Sequence, residues 1–314
     1  MFFQCGCSRT RIENFRNHEM RSDMEYILVQ LVNGLCQGSI YALMAIGYAS
    51  IVGVVGLVTF AYGEVMMIGA FAAYYTFLSL ADNLFIGVFA SFTASALMGF
   101  LVYKICNERF LDKPRHISLI CTIGFSMLVK NLAQIIFGAN TKAMPSVINQ
   151  FFLDIGPVRI NAVQLIILTT VIMLSGALYL MFNKTKLGIR LRSVSQSRQA
   201  AALVGINVKK TMLLGNCIGC GIGGVAGMLL AIYYQSLFPT IGSTFGNKAF
   251  ASSVVGGMTS IPWAAGGGVM IGVIENIGTA FLPNSYRDVF AFLFLFIVLL
   301  VRPEGLSKKK GIRP

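Results

Sequence analysis

The chain has 314 residues, of which 56% are hydrophobic and only 12% charged, and its mean hydropathy is +0.73. A soluble domain carries about 25% charged residues to cover its surface; this composition excludes a soluble globular protein and requires lipid over much of the exterior. The net charge of +13 does not indicate nucleic acid as a partner, because the basic residues gather in short segments flanking apolar runs, the placement that the positive-inside rule explains.

Residues 1–23 are polar, mixed in charge and without the apolar stretch of a signal peptide; they are expected to be a disordered extension. Residues 24–306 form one transmembrane domain, and 307–314 a basic tail. No Asp, Glu, Lys or Arg occurs in Tyr26–Gly63, Asn83–Tyr103, Ile160–Asn183, Thr211–Asn247 or Ala249–Ile274. A spanning helix needs about 20 apolar residues, and the alternating short strands of a membrane barrel are absent from the pattern. The predicted fold is therefore an all-α polytopic transmembrane helix bundle of about 8–10 membrane segments, including short broken helices. They are placed near 26–45, 47–58, 62–80, 84–104, 117–137, 161–182, 211–235, 246–258, 264–281 and 288–301. The second and eighth are too short to span at about 1.5 Å per residue.

The loops set the orientation. Lys104, Arg109, Lys113 and Arg115 place 104–116 in the cytoplasm, whereas 138–160 holds only Lys142, Asp154 and Arg159 and faces outside. The loop 183–210 carries basic residues and no acid, so it returns to the cytoplasm, as does the C-terminus. The side of the N-terminus depends on whether the segment 47–58 crosses.

Two segments are short and glycine-rich: Gly47–Gly63, and Gly242–Gly272 with Pro262 inside it. Interrupted apolar segments in the two halves of a transporter point to a transport path, where non-helical backbone is tolerated because it lines a cavity. Close helix packing through small residues gives the same composition. On the first reading Thr59, Tyr62, Glu64, Ser253, Gly256, Gly257 and Thr259 line the path, and the two segments approach each other near the membrane centre. Ionisable residues in apolar context are costly and often functional. Glu64, Lys130, Lys248 and Glu275 qualify, either as path lining or as structural pairs near helix ends.

The loop Lys184–Lys210 holds the mechanical signal. Ser193 followed by Gln196 fits a capping box and Gly205 fits a helix stop, framing a short helix at about Val194–Val204 with Ala201 in its small-residue face. Such a helix either docks into a groove on a partner or lies on anionic headgroups. No catalytic constellation is present. The two histidines, His18 and His116, lie in polar segments, and the cysteines show no metal spacing: the Cys217–Cys220 pair sits in apolar sequence without a histidine nearby. There is no G-x-x-x-x-G-K-[ST] loop. An enzyme is not expected, nor a cofactor or ATP bound by this chain.

Five motifs in order resemble branched-chain amino acid ABC permeases. They are LVNGLCQGSIYALMAIGY at Leu31–Tyr48, GLVTFAYGEVMMIGAF at Gly56–Phe71, ICTIGFSMLVKNLAQIIFG at Ile120–Gly138, the Gly-rich segment Phe245–Glu275, and VRPEGL at Val301–Leu306. Gly188-Ile-Arg190-Leu-Arg192 with Ser193, Ala201 and Gly205 is similar to the family's cytoplasmic coupling loop. The resemblance implies a permease subunit of an ATP-driven importer in the inner (cytoplasmic) membrane. It also implies a sister permease subunit, two cytoplasmic ATPase subunits and an external substrate-binding protein as partners. Urea or a short amide is the alternative substrate, and a stand-alone secondary transporter the alternative class. The sequence departs from the family pattern at Thr59, Tyr62, Ser197, Thr259 and Trp263; the bulk of Tyr62 and Trp263 beside glycines bears on the substrate.

Overall fold

The computed structural model describes residues 6–79, 83–111, 113–145, 152–155, 158–258, 260–283, 286–303 and 305–306. Among them the chain is an all-α polytopic membrane bundle. Its elements in order are α1 (Gly6–Val55), α2 (Tyr62–Ser79), α3 (Leu84–Val102), α4 (Arg115–Phe137), α5 (Ala162–Lys184), α6 (Lys186–Gln196), α7 (Arg198–Leu203), α8 (Val208–Tyr234), α9 (Ile241–Gly256), α10 (Ile261–Phe281) and α11 (Arg287–Val301). Six stretches are long and apolar enough to cross a bilayer: Tyr26–Val55, Leu84–Phe110, His116–Phe137, Ala162–Lys184, Val208–Tyr234 and Ile261–Phe281. Helices dominate because hydrocarbon offers no hydrogen-bond partner, so each backbone group must be satisfied within its own segment. The little sheet present pairs β1 (Lys142–Ala143) with β4 (Ser236–Leu237), and β2 (Phe152–Ile155) with β3 (Val158–Asn161), both antiparallel.

One expectation is corrected in α1. The separate helix predicted at 47–58 does not exist: α1 runs unbroken through Gly47 and Gly53. Gly47 serves packing instead. It lies against Gly219 and Gly223 of α8, where a Cβ on Gly47 would stand 2.8 Å from the Gly219 carbonyl oxygen. Small residues at such a crossing let two backbones approach closely. The break falls at Gly56, whose φ of +70° is a left-handed conformation that costs glycine little, and the chain turns back through Leu57–Ala61 into α2. From Gly6 onward the extension is helix continuous with α1. Residues 1–5 and the tail 307–314 lie outside the described residues.

Burial sorts centre from rim. In α1 and α8 the apolar windows are 89% and 78% buried, against 17% in α4 and 22% in α5, so α1 and α8 form the core and α4 and α5 lie at its rim. α10 runs antiparallel along α1 through glycines: Gly38 meets Val269, Gly272 meets Gly38, and Gly268 meets Ala42. α3 packs on α8, with Asn216 Nδ2 donating to the Gly99 carbonyl at 2.7 Å. Ser95 Oγ donates to the Val65 carbonyl of α2 at 3.0 Å. Interhelical bonds of this kind contribute about 0.6 kcal/mol each in a membrane.

Candidate functional site

Three polar features stand out in an otherwise apolar bundle. The first is at the start of α2. Gly63 lies against Gly242 and Gly246 of α9, where a Cβ on Gly246 would stand 2.7 Å from the Gly63 Cα. The two glycine-rich segments therefore do meet. Tyr62 is buried, donates its hydroxyl to the Met44 carbonyl at 3.0 Å and packs edge-on against Tyr48. Thr59 and Glu64 are each 2% exposed. Thr59 Oγ1, Glu64 Oε2 and the hydroxyls of Ser252 and Ser253 are buried with no hydrogen-bond partner among the described residues. Ser253 follows Gly246 by seven residues, two helical turns, which puts it on the α9 face that meets Gly63. An unsatisfied buried polar atom costs about 1–3 kcal/mol, so each of these four is a position where a polar partner would be favoured.

Gly256 and Gly257 sit differently. Gly256 is pressed against the backbone of Trp263 and Ala264, and Gly257, at φ +98°, makes the turn from α9 into α10. In this chain both serve the α9–α10 hairpin. Thr259 lies outside the described residues.

Of the second feature, the sequence analysis singles out Lys130 alone. Thr122, Ser126 and Lys130 recur every four residues on α4, which stacks them on one side of the helix. Thr122 Oγ1 accepts the Phe60 N–H at 3.4 Å, which ties α4 to the turn before α2. The i, i+4, i+8 spacing of polar residues in an apolar helix was the available signal.

The third is a buried charge network. Lys248 of α9 pairs with Glu275 of α10, the side chains being 3% and 0% exposed, and Lys248 Nζ lies 2.7 Å from Asp288 Oδ1 of α11. Arg287 Nε stands 3.8 Å from Glu275 Oε2. Gln37 of α1 donates to Glu275 at 3.2 Å and to the Tyr234 hydroxyl at 2.9 Å, and its carbonyl oxygen accepts from Asn276 at 2.8 Å and from Arg287. Two positive and two negative charges balance across α9, α10 and α11, and the neutral Gln37 ties them to α1. Lys248 and Glu275 thus pair structurally with each other, the second of the two readings their positions allowed.

At the end of α1 where Arg198 of α7 donates to the Val55 carbonyl, the coupling-loop residues are held as two helices rather than one. The predicted cap is corrected: Ser193 lies inside α6 and donates back to the Ile189 carbonyl at 2.9 Å. The true caps are Thr185, accepting from Gly188 N at 3.1 Å, and Ser197, accepting from Ala200 N at 3.3 Å. Serine and aspartate are equivalent N-caps, which explains why Ser197 can stand where the family pattern has Asp. Gly188 permits α6 to start tightly against the Met181 and Phe182 carbonyls. Arg190 is exposed, and Arg192 reaches the side chain of Asn183 at 3.4 Å. Gly205 takes φ +83° and ends α7. Ala201 faces inward at 4% exposure, while Leu203 and Val204 project at 89% and 81%.

The family model described as branched-chain amino acid transport system / permease component matches residues 30–299. The chain is 33% identical over 299 residues to the high-affinity branched-chain amino acid transport system permease protein LivH of Salmonella typhimurium, covering 91% of this chain and 97% of that protein. It is 34% identical to the permease protein BraD of the corresponding system in Pseudomonas aeruginosa, covering 90% and 96%. A probable branched-chain amino acid transport permease, LivH of Methanocaldococcus jannaschii, is 24% identical over 88% and 91%. No solved structure matches the chain significantly. A polytopic helical bundle matched by that family model over nearly its whole membrane domain is a member of the branched-chain amino acid transport permease family.

Proposed function

We propose that this chain is a transmembrane permease subunit of an ATP-driven importer that moves branched-chain amino acids across the cytoplasmic membrane. The observation that carries the substrate is the near full-length similarity to relatives named for branched-chain amino acid transport. Family membership brings the rest of the machine into the proposal: a sister permease subunit, two cytoplasmic ATPase subunits and an external binding protein. The exposed apolar pair Leu203 and Val204, on a loop rich in basic residues, suits docking into an ATPase groove. With that loop cytoplasmic, the C-terminus is cytoplasmic and the α1 span runs inward from its N-terminal end. The path runs past the start of α2 and along α9, where Glu64 Oε2 and the Ser253 hydroxyl are buried without a hydrogen-bond partner among the described residues. Deleting the chain from its native cell should abolish high-affinity uptake of labelled leucine, isoleucine and valine, with uptake restored by the intact gene. Loss of urea uptake with branched-chain uptake unchanged would replace this reading with the amide one.

A further inference from the structure

A cavity of about 380 Å³ lies where α8 and α10 finish and α11 starts, beside the first turns of the α1 span. It is lined by Tyr26 and Gln30 of α1, Tyr234 of α8, Leu282 and Pro283 after α10, and Arg287 of α11. Small-molecule sites run from about 300 to 1,000 Å³, so the space suits a small ligand. α8 starts directly after the basic loop 183–210. With that loop cytoplasmic, the Tyr234 end of α8, and the cavity with it, lies on the external side.

In the charge network beside this cavity the pairing is uneven. Lys248 contacts both carboxylates, Glu275 and Asp288. Arg287 Nε stands 3.8 Å from Glu275, beyond hydrogen-bond reach. The guanidinium donates instead through Nη2 to the side-chain oxygens of two neutral amides, Gln37 and Asn276. Among the described residues Nε is buried without a hydrogen-bond partner, and Nη1 donates to none. An arginine that served only to fasten α11 would engage a carboxylate through two parallel N–H groups, the geometry in which it binds most strongly. Arg287 keeps donors to spare and lines a cavity that also carries the apolar surface of Leu282 and Pro283. A carboxylate on a small aliphatic body matches both.

We propose that this cavity is an external antechamber in which Arg287 takes the carboxylate of an aliphatic amino acid before it enters the path. The carboxylate accepts from the guanidinium, the side chain lies against Leu282 and Pro283, and the ammonium stays at the mouth beside Tyr26, which is 49% exposed. The proposal rests on the reading that the chain transports amino acids. It gives this subunit a part in recognition that the external binding protein does not supply. A carboxylate could also come from an acidic side chain of that binding protein, and the test separates the two sources.

The test uses the permease and ATPase subunits assembled in proteoliposomes without binding protein, the native cysteines of this chain being replaced by alanine. Gln30→Cys lines the cavity outside the charge network and serves as reporter, labelled from outside with a sulfonated maleimide that does not cross the bilayer. Free leucine at about ten times its half-protecting concentration should slow labelling about tenfold. Its deaminated analogue 4-methylpentanoate should protect as well, because it keeps the carboxylate. The decarboxylated analogue 3-methylbutylamine, and urea, should leave the rate within about twofold, because neither offers an anion to the guanidinium. In the Gln30→Cys chain, Arg287→Gln should remove the protection and Arg287→Lys should keep part of it. If Arg287→Gln fails to assemble, the analogue series decides alone. Equal protection by 3-methylbutylamine, or protection that survives Arg287→Gln, would overturn the site. So would protection by unliganded binding protein with none by free leucine, which would assign the guanidinium to that protein's surface. A reporter that leucine never protects, in an importer that takes up leucine once binding protein is added, would overturn the site and leave the transport reading standing. An importer that moves no branched-chain amino acid at all would remove the transport reading and the antechamber with it.

Discussion

Lys248→Met removes one end of the buried ion pair without changing side-chain length much. Glu275 is fully buried and would keep Gln37 at 3.2 Å and Arg287 Nε at 3.8 Å, the latter beyond hydrogen-bond reach. Breaking a buried pair costs about 3–5 kcal/mol because the partner's charge stays desolvated; with Arg287 nearby, the lower end, about 3 kcal/mol, is expected. Glu275→Gln should cost less, about 2 kcal/mol, because Lys248 keeps Asp288 at 2.7 Å. Asp288→Asn should cost under about 1 kcal/mol, since that side chain is 54% exposed and water can take over. The double replacement Lys248→Met with Glu275→Gln leaves neither of the two buried charges in place, and should recover about 2 kcal/mol relative to the sum of the single changes. Equilibrium unfolding by SDS in mixed micelles reads each value directly. Single changes that each cost less than about 1 kcal/mol and simply add would refute the reasoning, because they would mean the pair is hydrated or unformed.

Arg198→Ala deletes the guanidinium that holds the end of α1, a charge-assisted bond of about 1.5–3 kcal/mol; ATP hydrolysis by the assembled importer should persist while leucine uptake per ATP falls, and an unchanged ratio would count against a mechanical link. Leu203→Glu should abolish co-purification of the ATPase subunits with the chain still present in the membrane at its normal level, whereas Arg190→Gln, on the same loop, should not. Gly246→Val should lower the yield of folded chain, as its side chain would enter the space of Gly63, with overpacking costs of about 1–3 kcal/mol; fluorescence-detected size exclusion reads the loss.

The spans were legible because uncharged apolar runs leave a chain no other environment, and the α9–α10 turn and the break before α2 both fall within the two glycine-rich segments. What the runs do not reveal is which glycine breaks a helix and which packs it. Gly47 and Gly56 look alike in sequence, but Gly47 faces glycines of α8, some 170 residues on, and stays helical, while Gly56 turns left-handed. The cap was misread for a local reason: Ser193 and Gln196 have the spacing of a capping box, yet a helix already begun at Thr185 makes Ser193 an interior residue whose hydroxyl bonds backward. Lys248 and Glu275 were visible as isolated charges, but their pairing depends on the antiparallel packing of α9 and α10. Ala201 was chosen from composition as a docking residue; the structure turns it inward and exposes Leu203 and Val204 instead, a choice fixed by how α7 rests on its neighbours. On α4, Lys130 was visible as an isolated charge, but Thr122 and Ser126 on the same side were not, because the three differ in type and only their spacing unites them.

Proteoliposomes containing this chain with its sister permease, ATPase subunits and binding protein give the central test. The account predicts saturable, ATP-dependent accumulation of labelled leucine, competed by isoleucine and valine and abolished when this chain is omitted. Accumulation of urea or a sugar without leucine, or leucine uptake that needs an ion gradient and no ATP, would contradict it.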